Sequence, residues 1–172
     1  MVYIEAQAAC AANPLEWRLL GPDGGPLGIA ESCNDLGRLV LPASGDYTVS
    51  VAASGSATGP YAFTVLTVPV EPATTITIGQ AVTGNIDSIG EIRDFTFTAT
   101  AGEVVDLKAQ AGCSPNPVEW QLLGPGGSSL DIAETCNDIG RHVLPTAGVY
   151  TVRVAASGTA TGPFAFTVNA AQ

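Results

Sequence analysis

Four cysteines are the residues of this chain whose type and spacing most directly suggest chemistry. Cys10 and Cys33 are separated by 22 residues, and Cys113 and Cys136 have the same separation. This equality favours one disulfide within each pair, and each bond would close a loop worth about 3 kcal/mol on the chain-entropy model. Two alternatives stay open, buried free thiols and a zinc site of four thiolates, although no Cys-x-x-Cys pair is present.

Three carboxylates that are close in the chain form a second candidate group. Asp87, Glu91 and Asp94 could offer oxygen ligands to calcium. The alternative, which we favour, is a solvated loop in which Asp94 accepts hydrogen bonds from a turn. The sequence therefore predicts no resident cofactor, with calcium as the open alternative.

The cysteine spacing belongs to an internal duplication with an offset of 103 residues. Residues 2–65 align without a gap to residues 105–168, and 43 of these 64 positions are identical. Residues 76–104 precede the second copy and have no counterpart ahead of the first. A duplication of this kind predicts repeated structural units.

The duplication also predicts the domain organisation. We expect an N-terminally incomplete repeat over residues 1–66, a linker over 67–75 and a complete repeat over 76–172. The first repeat lacks its opening strands, so we expect it to have an unpaired sheet edge that recruits another strand.

Neither the histidine nor the glycine-rich loops indicate catalysis. The single histidine, His142, aligns with Leu39 of the first copy, so its position does not require imidazole chemistry. The loops 21–28 and 55–59 lack the lysine, the nucleophile and the following helix of phosphate-binding and hydrolase motifs. We expect no catalytic residue and no enzymatic activity.

Four charged residues recur in both copies and have two interpretations. The pairs are Glu16/Glu119, Glu31/Glu134, Asp35/Asp138 and Arg38/Arg141. They could form a binding site in each copy. We favour a structural role, in which the aspartate of the Asn-Asp-x-Gly-Arg turn is satisfied by backbone N–H groups and by the arginine.

Apolar residues alternate with polar ones through most of the chain, which is typical of half-buried strands. The clearest runs are 15–19, 47–51, 61–65 and 105–111. Turn-forming Gly, Pro, Ser and Asp separate these runs every 8 to 12 residues. The pattern predicts an all-β chain of tandem antiparallel β-sandwich, jelly-roll-like domains with Trp17 and Trp120 in their cores.

The charge composition excludes several classes of partner. The chain has 6 basic and 16 acidic residues, a net charge of −10 and a single lysine, Lys108. So few cations cannot form a groove for nucleic acid or a patch for anionic lipid.

We also expect no membrane insertion, since no apolar stretch is long enough to span a bilayer. The first residues do not resemble a signal peptide. The paired cysteines and the low lysine content favour a secreted or cell-surface protein.

Several motifs of the second copy occur in a fixed order. They are Val82–Gly84, Asp94–Phe97, Ala101–Glu103, Leu122–Gly127, Leu144–Val152 and Gly162–Phe164. Together they resemble the bacterial pre-peptidase C-terminal domain, a β-sandwich module of secreted proteins. The resemblance covers 76–168 fully and 2–65 as the downstream part, and the paired cysteines depart from it. It implies a non-catalytic module, and some relatives on clostridial collagenases bind collagen and calcium.

These observations lead to two hypotheses of function. The first is a structural or adhesive repeat of a surface or fibre-forming protein. Its partners would be neighbouring repeats or identical subunits, joined by strand addition, with a polymeric extracellular ligand as a further candidate. The second is a substrate-binding or processing accessory domain of a secreted peptidase.

Overall fold

The chain divides into two compact units. The computed structural model describes residues 1–9, 15–112 and 118–171. The first unit is Met1–Val68 and the second is Pro69–Gln172. The sequence had predicted these two repeats with a linker between them.

The first unit contains two antiparallel three-stranded sheets. Its described strands are β1 (Val2–Ala6), β2 (Glu16–Leu20), β3 (Pro26–Glu31), β4 (Gly37–Leu39), β5 (Thr48–Ala52) and β6 (Phe63–Thr67). One sheet has the order β4-β1-β6 and the other the order β3-β2-β5. Among the described strands, β5 and β6 each pair on one side only, so each forms the edge of its sheet.

The second unit repeats this arrangement and extends it. Its described strands are β7 (Thr74–Thr75), β8 (Ala81–Ile86), β9 (Ile92–Ala99), β10 (Val104–Ala109), β11 (Glu119–Leu123), β12 (Ser129–Glu134), β13 (Gly140–Val143), β14 (Gly148–Ala155) and β15 (Gly162–Ala170). The sheets have the orders β13-β10-β15-β8 and β12-β11-β14-β9-β7. The predicted all-β sandwich class is confirmed.

The additional strands come from the segment that the first copy lacks. β8 pairs with β15 and β9 pairs with β14, and both pairs are antiparallel. β7 pairs in parallel with β9 and lies inside the predicted linker, 67–75. The end of that linker is therefore part of the second sandwich, because its threonines extend the sheet beside β9.

The same side chains organise both cores. Trp17 and Trp120 are fully buried, as predicted. Each indole Nε1 donates to the backbone oxygen of an asparagine, at 3.1 Å to Asn34 in the first unit and 3.0 Å to Asn137 in the second. Because the bond satisfies the one polar atom of the ring, the indole can be buried without an unpaired donor.

The units differ in how much apolar surface they bury. Among the described residues, the buried hydrophobic side chains that pack together as one cluster number nineteen in the second unit and three in the first, Ile4, Trp17 and Leu19. Residues of the opening segment supply part of the larger core; they are Ile76, Val82, Ile86, Phe95, Phe97 and Ala99. Without these side chains, the remaining core residues of the first unit are only partly buried.

Gly84 shows how closely the opening segment packs. It lies opposite Phe164 in the β8–β15 pair, and a Cβ added at Gly84 would lie 2.9 Å from Phe164 Cε1. The aromatic ring therefore covers the glycine, an arrangement that fills the space above a residue without a side chain.

We expect Gly84→Ala to destabilise the second unit by about 1–3 kcal/mol, because the buried Phe164 ring must move to make room for the methyl group. Gly126→Ala is the control, since a Cβ there meets no atom within 4 Å. Urea unfolding followed by hydrogen exchange of β8 and β15 measures the change. Equal stability of the two variants would contradict the packing described here.

Candidate functional site

The open face of the first unit is the feature that most clearly distinguishes it from the second. We define this face as strands β5 and β6 together with Tyr61. Tyr61 is 56% exposed, whereas Phe164 at the equivalent position is 3% exposed. Val65 is 50% exposed, and its equivalent Val168 is fully buried. The same sequence positions are therefore covered in one unit and uncovered in the other.

Val65 lies on the core side of its sheet and not on the outer side. It is directly opposite Ile4 in the β1–β6 pair, and directly opposite residues of an antiparallel pair share one face. Ile4 is fully buried. The exposure of Val65 therefore reflects missing cover and not an outward orientation.

The edge strands of the open face are also shorter than their equivalents. β5 has five residues where β14 has eight, and β6 has five where β15 has nine. The additional residues of β14 and β15 pair with β9 and β8. Without a neighbour, the corresponding residues of the first unit do not form strand.

Chemically, this face offers apolar side chains beside two strand edges that no other described strand pairs with. An exposed strand edge binds another strand through main-chain hydrogen bonds, and pockets for alternate side chains give selectivity. The arrangement is suited to binding an extended polypeptide.

A repeated aspartate forms a second feature, common to both units. Asp35 accepts hydrogen bonds from the backbone N–H of Ala6 at 2.7 Å and from the Tyr3 hydroxyl at 2.6 Å. Asp138 accepts from the backbone N–H of Ala109 at 2.8 Å and from Lys108 Nζ at 3.0 Å. The predicted structural role agrees with these contacts, although the side-chain donors described here are a tyrosine and a lysine.

Each aspartate raises the pKa of the side chain that donates to it. Burial and the hydrogen bond to Asp35 raise the pKa of the Tyr3 hydroxyl above its ordinary value. The hydrogen bond from Lys108 lowers the pKa of Asp138, and the bonds to Asp138 and Asp106 raise the pKa of Lys108. Both aspartates therefore act as hydrogen-bond acceptors for a strand.

We expect the stabilising effect of Asp138 to depend on pH. A carboxyl whose pKa is lower when folded adds stability above its unfolded value of about 3.9, and that stability is lost as the pH falls through the folded pKa. Asp138→Asn should therefore be less stable than the parent at pH 7, and the difference should vanish in strong acid.

Denaturant midpoints of the second unit, measured by hydrogen exchange at several pH values, provide the measurement. Asp46→Asn, which removes the same charge from an exposed position in the other unit, is the control. A difference between Asp138→Asn and the parent that stays constant down to strong acid would be inconsistent with the lowered pKa.

The three candidate calcium ligands have protein partners in the structure. Asp94 accepts two hydrogen bonds from Arg153, both at 2.8 Å. Asp87 Oδ1 accepts from the side-chain amide of Asn85. The described residues include no group of three or more His, Cys, Asp or Glu side chains arranged to hold a metal. The calcium site stays a prediction, but the expected turn hydrogen bonds to Asp94 are replaced by an ion pair.

Glu91 departs most from the expected solvated loop, because its side chain is only 2% exposed. Its Oε2 accepts from the backbone N–H groups of Asp87 at 2.8 Å and Ser88 at 3.0 Å. Its Oε1 lies 2.6 Å from Arg93 Nε, an ion-pair contact that is not a well-directed hydrogen bond. Glu91 therefore closes the turn between β8 and β9.

We expect Glu91→Gln to destabilise the second unit by about 1.5–3 kcal/mol, because hydrogen bonds to a buried charge are lost or weakened. The matched control is Glu103→Gln: Glu103 Oε2 caps a more exposed turn through Thr100 N at 2.9 Å and Thr100 Oγ1 at 3.1 Å. Its effect should stay below about 1 kcal/mol, since solvent replaces the lost bonds. Urea denaturation compares the two variants, and equal losses would argue against a special role for burial.

Only one cysteine of each predicted disulfide lies among the described residues. Cys33 and Cys136 are disulfide-bonded, which is inconsistent with free thiols at these two positions. The other members of the predicted pairs, Cys10 and Cys113, lie outside the described residues. The pairing Cys10–Cys33 and Cys113–Cys136 therefore stays a prediction.

His142 and the basic residues are held on strands. His142 lies on β13, as expected for a strand residue, with Nε2 3.1 Å from Asp131 Oδ2.

All six basic residues of the chain lie within strands; they are Arg18, Arg38, Arg93, Lys108, Arg141 and Arg153. Over the described ranges, no helix has the length and apolar character needed to cross a bilayer.

Comparison with known proteins identifies no family. No family model matches the chain, and no curated protein matches it significantly. The resemblance to the pre-peptidase C-terminal domain therefore stays a prediction.

Two matching solved structures are PliG proteins, described as periplasmic inhibitors of g-type lysozyme. The one from Aeromonas hydrophila is 18% identical, with a TM-score of 0.45, and the match covers 56% of this chain and 96% of that one. The one from Salmonella Typhimurium is 17% identical, with a TM-score of 0.37, and the match covers 56% and 100%.

Repeat comparison would have revealed the open face more fully from sequence alone. Tyr61 and Tyr47 align with residues of the second copy that pair with strands of the opening segment. Val65 aligns with Val168, whose backbone oxygen accepts a hydrogen bond from Gly79 N at 2.7 Å. Sequence reasoning identified the missing strands but did not assign individual residues to the uncovered face. The signal in the sequence is that the first copy keeps these apolar residues although it has no counterpart to residues 76–104, which cover them in the second copy.

Proposed function

We propose that this chain is a non-catalytic structural module of a secreted or cell-surface protein, acting as a tandem β-sandwich repeat in a surface or fibre-forming assembly. The observation that carries the proposal is that polar groups identical in both copies make the same backbone contacts in both units. Chemical groups retained in duplicate are therefore engaged in holding strands together.

Two residue pairs illustrate this use of polar groups. Tyr47 donates its hydroxyl to the Ala43 oxygen at 2.6 Å, and Tyr150 donates to the Thr146 oxygen at 2.7 Å. The Asp35 and Asp138 contacts follow the same logic, since each carboxylate accepts from the backbone of another strand. The aspartate contacts join residues 29 apart in the chain and resist separation of the strands. The tyrosine contacts span four residues and hold the segment that precedes the strand.

The pairing of the last strand supports a load-bearing role. β15 pairs with β10 on one side and with β8 on the other, both antiparallel. A strand held on both sides must break two ladders of hydrogen bonds before it can leave the sheet. Force applied through β15 would therefore act on a strand that is paired on both sides.

The location is part of the proposal. Disulfides persist in oxidising compartments and are rare in the cytosol. The bonded state of Cys33 and Cys136 and the single lysine of the chain support an extracellular protein.

Stretching single molecules of the full chain tests the mechanical role. We expect one discrete unfolding event for the second unit. Reduction should lengthen the released chain by roughly 80 Å, because an extended residue spans about 3.6 Å and the predicted Cys113–Cys136 bond hides the residues between.

A variant with Cys113→Ala and Cys136→Ala is the matched control, and it should show the longer release without reductant. Extension of the second unit without a discrete event would argue against a load-bearing module. An unchanged release length on reduction would argue against the predicted Cys113–Cys136 pairing and would leave the load-bearing role unaffected.

A further inference from the structure

We infer that the open face of the first unit is an acceptor site for a two-strand segment, and that its occupant is a further copy of the repeat's own opening segment, with the chemistry of Ile76–Val104. This inference rests on the proposed function, because it names the partner of a repeat module.

The second unit shows what covers the equivalent surface. At the position equivalent to β5, β14 pairs with β9 over eight residues. At the position equivalent to β6, β15 pairs with β8. One segment thus supplies a strand to each sheet of the sandwich, and no described strand takes these two places in the first unit.

The register of these pairs defines the side chains that the acceptor needs. In the second unit, Phe95 lies opposite Val152 and Phe97 lies opposite Tyr150. The first copy retains these acceptor residues as Val49 and Tyr47, each of them partly buried. The strand that joins β5 should therefore carry large apolar side chains at alternate positions.

Tyr61 defines the other strand of the occupant. Its equivalent, Phe164, lies directly over Gly84. An aromatic ring in that position excludes any side chain beneath it. The strand that joins β6 should therefore carry glycine opposite Tyr61 and an apolar residue opposite Phe63, as Val82 lies opposite Phe166.

The acceptor differs from the second unit at one charged position. Arg153 of β14 pairs with Asp94 of β9, whereas the first copy has Ser50 at the equivalent position. An occupant of the first unit consequently needs no carboxylate there. The apolar pattern and the glycine, rather than this ion pair, define the occupant.

A fusion protein tests the inference with the full chain. A second copy of residues 76–104 replaces Met1, so that its last residue directly precedes Val2, as Val104 precedes Val105. We expect amides of β5 and β6 to exchange about tenfold more slowly or better, because paired strands open less often. β14 provides the internal reference in every sample.

Two substitutions distinguish specific docking from non-specific association of apolar surfaces. Gly84→Leu in the added copy increases apolar surface but collides with Tyr61, so it should abolish the slowing. Asp94→Ser in the added copy should retain the slowing, since Ser50 offers no charge partner. If Gly84→Leu protects β5 and β6 as well as the parent segment does, docking is non-specific and the inference is wrong.

A synthetic peptide of residues 76–104, added to the full chain, gives a second measurement if the fusion protein does not fold. Saturable protection of β5 and β6 supports the inference, and no protection overturns it. Concentration-dependent protection of the chain alone, which neither fusion nor peptide increases, would identify a second copy of this chain as the occupant and would also overturn it. The stretching experiment reports on the second unit, so either proposal can fail without the other.

Discussion

Aromatic packing between the two sheets is the interaction on which the rest of the structure depends. In the second unit, Phe95 contacts Phe164 and Phe166 edge to face at 5.7 and 5.4 Å between ring centroids, and Phe166 contacts Trp120 at 5.3 Å. These rings come from strands of both sheets. In the first unit, the contact described between rings is the one from Trp17 to Phe63, at 5.4 Å. The half of the cluster nearest the tryptophan is thus common to both units, and the other half depends on β9.

The repeated aspartate retains its backbone contact in both units but not its side-chain contact. Asp35 and Asp138 each bind the same backbone position of the neighbouring strand, while the second donor is a tyrosine in one unit and a lysine in the other. A backbone N–H left unpaired in the interior is costly whatever residue carries it. The two side-chain donors differ in burial: Lys108 is half-exposed, so water can replace it at little cost, whereas Tyr3 is buried.

The strands, the buried tryptophans and the absence of a counterpart to residues 76–104 could be predicted from the sequence, because alternation and self-alignment are local or linear patterns. The partner of Asp94 could not, since Arg153 is 59 residues away in the chain and is brought near by strand pairing. The burial of Glu91 was also missed. In the sequence, a glutamate between Gly90 and Ile92 is typical of a solvated turn. Its burial follows from two backbone donors and an arginine that only the fold brings around it.

The placement of the six basic residues within strands affects how the module withstands digestion. Enzymes that cleave after lysine or arginine act most readily at exposed loop tips, where the chain can adopt the extended form that their clefts accept. The connections between the strands contain no such residue. Every cleavage site for a trypsin-like protease therefore lies within a hydrogen-bonded ladder, and digestion must wait for a strand to detach.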